Sequence, residues 1–132
     1  MAVELPILMK TFEAAADLST KQYYYVKLTS TFNRVNVCTA ATDVPIGVLQ
    51  NKPDAAGKAA EVMIVGITKG SANGALSIGD LVGPSADSQV DGKTPGTDTT
   101  EYVVGQVLEA ASAAADIITM TPDLIAKMGL FD

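Results

Sequence analysis

Apolar residues at every second position constrain this chain most, because that spacing lines one face of a strand and gives a helix no stripe. Residues 22 to 28 read QYYYVKL. As a strand over about 21–29, they put Tyr24, Val26 and Leu28 on one face, the expected core side. Tyr23, Tyr25 and Lys27 then share the other face. Residues 33 to 39, NRVNVCT, alternate again, and the two runs predict a hairpin closed around Ser30 to Phe32. Two tyrosines on the far face need a cover. Either a partner chain supplies it, or a second layer or the N-terminal segment of the same chain does.

Strand signals continue downstream. PIGVLQ at 45–50 begins with a proline suited to a strand start or an edge, and AAEVMIVGIT at 59–68 is apolar on both faces, as in a central strand. Gly79-Asp80 marks a tight turn, with the Asp80 carboxylate expected to bond nearby backbone N–H groups. Residues 83–101 are polar and rich in glycine and proline, which predicts a long surface loop carrying a small ribbon turned at Asp91-Gly92. Strands resume at YVVGQVLEA and DIITMT, and Thr121-Pro122-Asp123 predicts a short helix from about Pro122 to Lys127, ending at Gly129. The short alanine runs read as tight turns. The phrases IGVL…AEVMI and VGQVL…ADIIT form a weak internal echo whose glycines suit bends in a curling sheet. The expected class is therefore all-β: a small barrel or compact sandwich over residues 17–132, an extended N-terminal arm over 1–16 and a short C-terminal helix.

The 132 residues suffice for one domain with one core. A net charge of −6 supplies no basic footprint for nucleic acid or for an anionic membrane, so neither is expected as a partner. The start, MAVELPILMKTF, lacks a basic leader and a cleavage site, and no apolar run reaches spanning length, so synthesis in a cytoplasm is expected. Chemistry is sparse. The chain has no histidine, which removes the commonest general base and zinc ligand, and its single cysteine, Cys38, reads as a small hydrophobe on a strand. Asp87, Asp91 and Asp98 lack the spacing of a calcium loop, and Glu61 and Asp116 head apolar strands where they suit cross-sheet ion pairs. No catalytic residue, metal or cofactor is expected, and the chain reads as a non-enzyme.

Contact surface is then the leading function. Leu5, Ile7, Leu8, Met9 and Phe12 make the first residues apolar without a clean period, so this segment is expected to lie across its own body or a neighbour. Tyr23 and Tyr25 suit a boundary, since a tyrosine ring buries area while its hydroxyl keeps a hydrogen bond. The candidate subunit or capsid interface is Leu5, Ile7, Leu8, Phe12, Tyr23 and Tyr25.

The ordered series FEAAADLSTKQYYYVKLT, PIGVLQNKP, AAGKAAEVMIVGITK, SIGDLV and VVGQVLEAA…ADIITM resembles the capsid cement, or decoration, proteins of tailed bacteriophages, over roughly residues 12 to 121. The resemblance implies a mostly β homotrimer that binds the outer surface of the phage head at three-fold and quasi-three-fold positions. Its partner there is the major capsid protein, and its work is to stabilise the shell. An adhesive or carbohydrate-binding β module using the 83–101 loop is the alternative.

Overall fold

The computed structural model describes residues 2, 4–94, 97–98, 100–122 and 126–127. Among these residues there are eleven strands: β1 (Leu5–Ala14), β2 (Tyr25–Leu28), β3 (Arg34–Val37), β4 (Gly47–Leu49), β5 (Ala59–Ser71), β6 (Leu81–Pro84), β7 (Val90–Gly92), β8 (Tyr102–Val103), β9 (Gly105–Gln106), β10 (Ile117–Met120) and β11 (Ala126–Lys127). The described residues contain no helix. The expected C-terminal helix falls mostly outside them; Ala126 and Lys127 pair as a strand with Val103 and Tyr102.

The expected hairpin forms, with Val26 opposite Val37 and Leu28 opposite Val35. It sits in a six-stranded sheet of order β1-β3-β2-β4-β5-β10, in which β1 also pairs with β5. A second sheet has the order β7-β6-β9. The sheets do not close into a barrel, one of the two expected forms. β1 touches both β3 and β5, but its contact with β3 is parallel and only two residues long, Glu13 opposite Arg34 and Ala14 opposite Val35. Such a contact is too short for the continuous staggered wall a barrel requires.

Alternation then divides the interior in two, where the sequence pointed to one core. Tyr25 and Val48 enter a cluster with Val82, Val90, Ile118 and Met120, between the six-stranded sheet and the three-stranded one. Their immediate neighbours Val26 and Leu49 point the other way, into a cluster with Phe12, Leu18, Val35 and Val62. β2 and β4 thus lie between two apolar layers. The two clusters share β2 and β4, so neither is built without the other's strands.

The polar loop also differs in detail. Its ribbon exists as β6 and β7, but the turn lies at Ser85–Gln89, and Asp91 and Gly92 are strand residues opposite Gly83 and Val82. Serine chemistry explains the shift. Ser85 Oγ accepts the N–H groups of Asp87 at 3.1 Å and Gln89 at 3.2 Å, and Ser88 takes the left-handed conformation at φ 62°. The other small turns follow expectation: Ser77 N–H donates to Asp80 Oδ2 at 2.9 Å. Asp116 closes the alanine turn by accepting from Ser112 and Ala113 N–H at 2.9 and 3.1 Å, instead of forming a cross-sheet ion pair.

The echoed glycines have a definite role. A Cβ on Gly47 would stand 2.2 Å from Met63 O, and one on Gly105 would stand 1.8 Å from Thr121 O. In both places a missing side chain lets a carbonyl of a neighbouring segment approach closely. A backbone carbonyl cannot swing aside as a side chain can. Gly47→Ala is therefore expected to cost about 1–3 kcal/mol, read as a lowered thermal unfolding midpoint. Gly74→Ala, whose Cβ would meet nothing within 4 Å, should stay within about 0.5 kcal/mol of the parent; equal effects would refute this role.

Candidate functional site

The predicted interface residues separate into two groups. Leu5, Ile7 and Leu8 are 59%, 79% and 50% exposed, whereas Phe12, on the same strand, is 6% exposed and belongs to the second core cluster. β1 therefore has two halves. From Glu13 to Ala14 it lies between β3 and β5; from Leu5 to Lys10 it pairs only with β5, through register shifts on either side of Leu8. Beside its start is an open hollow of about 420 Å³ lined by Leu5, Pro6, Ile7, Gly66, Ile67 and Thr121.

Tyr25 is fully buried, so its cover comes from its own chain. Its N–H donates to Ser88 O at 2.8 Å, in the β6–β7 turn, and its hydroxyl makes a long bond of 3.9 Å to Met120 Sδ. Burial raises the phenol well above its ordinary value. Tyr25 is thus corrected from an interface residue to a core residue.

Tyr25 and Val26 keep the opposite faces expected of them, but the strand does not extend back to Tyr23. Tyr23 has φ 69°, outside strand geometry, so the alternation starts only at Tyr25. Two backbone bonds hold that conformation: Tyr23 N–H donates to Leu49 O at 2.7 Å, and Ser71 N–H donates to Tyr23 O at 3.0 Å. The Tyr23 ring is half-buried, packs against the first core and lies under Lys69 Nζ at 5.6 Å. Leu28, expected in the core, is exposed at the far end of β2.

Two features were not read from the sequence. Phe32, at the tip of the β2–β3 hairpin, is 95% exposed and borders a second hollow with Lys10, Phe12 and Leu28. Lys93 is buried: its ammonium ion-pairs with Glu101, donates to Pro84 O at 2.9 Å and lies 3.8 Å from Asp91. It acts as an internal tie for the polar loop. A lysine flanked by acids in a nominal loop was the available signal for it, while nothing local distinguished Phe32.

Catalytic geometry is not assembled among the described residues. No group of three or more metal-ligating side chains occurs among them. Burial, reinforced by the charge of Asp43, pushes the Cys38 thiol up to about 12, so it stays protonated and unreactive at neutral pH. No helix of the described residues is long and apolar enough to cross a membrane. What the surface offers is exposed apolar area on an incompletely paired strand.

The fold resembles a phage head-fibre base. The solved structure of the head fiber gp8.5 N base in bacteriophage phi29 superimposes with a TM-score of 0.67, at 14% identity, covering 88% of this chain and 93% of that one. At that identity the likeness establishes shared architecture. The sequence matches no protein-family model and no curated protein.

Tyr25 provides a test of the division between core and surface. Tyr25→Phe, which loses only a weak bond to sulfur, should change stability by less than about 1 kcal/mol. Tyr25→Ala should cost about 3–5 kcal/mol, measured by denaturant unfolding. Equal, small effects would return Tyr25 to the surface.

Proposed function

We propose that this chain is a structural, non-catalytic protein of a phage head, acting as a trimeric decoration protein on the outer capsid surface. The observation that carries the reading is the match over nearly the whole fold to a head-fibre base. The ordered strand-and-turn phrases resembling cement proteins support it independently. In this reading the major capsid protein is the partner, at three-fold and quasi-three-fold positions, and the N-terminal segment contacts the shell or an adjacent subunit. Leu5, Ile7 and Leu8 supply apolar contact, and Tyr23 lies near a subunit boundary.

The physics suits weak individual contacts. Three linked copies bind together at high effective concentration, so each grip can be modest. A ligand that binds the assembled shell but not its separated parts stabilises the shell by mass action. Closed three-fold symmetry limits each assembly to a finite size. The alternative, a carbohydrate-binding module using the polar loop, has less support, because Lys93 and the Ser85 turn commit much of that loop to internal bonds.

Two measurements test the proposal. Sedimentation equilibrium should give three times 13.6 kDa; a monomer at all concentrations would refute the trimer. Expanded heads of the phage that encodes the chain should take up the parent protein. A Leu5→Ser/Ile7→Ser/Leu8→Ser variant should bind at least about tenfold more weakly, a loss of about 1.4 kcal/mol. Unchanged occupancy with unchanged circular dichroism would remove these side chains from the contact.

A further inference from the structure

The first half of β1 has a property beyond being exposed. Residues 4 to 10 read Glu-Leu-Pro-Ile-Leu-Met-Lys, a near-palindrome about Ile7. Lay this segment antiparallel against a second copy of itself with Ile7 opposite Ile7. Leu5 then faces Met9, Pro6 faces Leu8, and Glu4 faces Lys10, each pair occurring twice through the two-fold axis. Every apolar residue meets an apolar residue, and each of the two acids meets a base.

The strand is placed to do this. Among the described residues, its edge away from β5 is paired only at Glu13 and Ala14, leaving the edge from Leu5 to Lys10 open. All side chains from Glu4 to Lys10 are exposed. The charged ends are held loosely. Glu4 lies 3.7 Å from Lys69, with both side chains about a third exposed, and Lys10 contacts Asn33 and the ring of Phe12 at the surface. Exposed pairs of this kind are worth little and exchange readily.

We propose that β1 pairs with β1 of a second copy of this chain, antiparallel about Ile7, as a two-fold contact between subunits. The contact is isologous, so it joins copies in pairs and stops. It is also weak alone. Seven residues a side fall well short of the roughly 800 Å² per partner of a stable interface, and Pro6 offers no N–H to the ladder. It therefore gains strength where copies are already held side by side, and in that respect it rests on the assembly proposed above. Neighbouring three-fold sites on an icosahedral shell are related by two-fold or quasi-two-fold axes, so such pairs would link adjacent trimers.

Disulfide trapping tests the register. The one native thiol, Cys38, is buried. Ile7→Cys should form an intermolecular disulfide under mild oxidation at least tenfold faster than Phe32→Cys, a control at a more exposed position. In the Ile7→Cys background, Glu4→Lys or Lys10→Glu alone should slow trapping roughly three- to tenfold, because like charges then meet. The double exchange should restore the rate to within about twofold. Rescue also separates the contact between copies from the local ion pair with Lys69, which the double exchange does not repair. Equal trapping at positions 7 and 32, no rescue, or trapping on heads only to the major capsid protein would each overturn the proposal. Trapping in free protein that does not bind heads would retain the pairing and overturn the decoration reading instead.

Discussion

The structure depends on the hydrogen-bonded edges of one long strand. β5 runs thirteen residues, and three of the other five strands of the six-stranded sheet pair with it directly. Along one edge it receives β1 from Ile67 to Ala59, and it receives β4 at Val62 and Met63 and β10 from Thr68 to Ser71. Met63 is paired on both sides, with Met9 and with Val48. A backbone residue bonded to two neighbours cannot shift register without breaking both ladders, and a one-residue slip would turn its side chains to the wrong layer. At Gly66 the strand runs close to β1: a Cβ there would stand 2.5 Å from Leu5 O. That approach explains how β1 continues along β5 past the edge of the core.

Two cores on opposite sides of β2 and β4 follow from the same constraint. With a repeat of two, a central strand delivers consecutive apolar residues to opposite layers, and Tyr25-Val26 and Val48-Leu49 do so. Neither layer contains many side chains. Each burial is complete because the strands between them serve both. This arrangement lets a chain with only 5% aromatic residues reach a closely packed interior, using valine and alanine with close backbone approach in place of bulk.

Much of this was legible in sequence, and the errors have local causes. The hairpin, the central strand at 59–68 and the all-β class follow from alternation and turn residues, which act over a few positions. Alternation put Tyr25 and Val26 on opposite faces but left open what covers Tyr25, which is a second layer of the same chain. It also could not show that Tyr23 takes a positive φ, imposed by its bonds to Leu49 and Ser71, distant in sequence. The burial of Lys93 went unread because its cover comes from Pro84 and Glu101. At the candidate site, Leu5, Ile7 and Leu8 were legible as apolar residues needing a partner. Phe12 was not separable from them, since its burial depends on β1 passing from an open edge to a position between β3 and β5.

That passage bears on how an apolar edge is tolerated at all. An open, flat, hydrophobic strand edge invites unlimited pairing. β1 carries two brakes: Pro6, which lacks a donor, and register shifts around Leu8. A net charge of −6 adds long-range repulsion between free molecules. These devices lower affinity in solution without removing the contact surface. A protein whose proposed work is done only on a crowded shell needs that balance, because effective concentration there replaces intrinsic affinity. Stronger apolar contact would spend itself on aggregation before any shell was met, and weaker contact would leave nothing for multivalency to multiply.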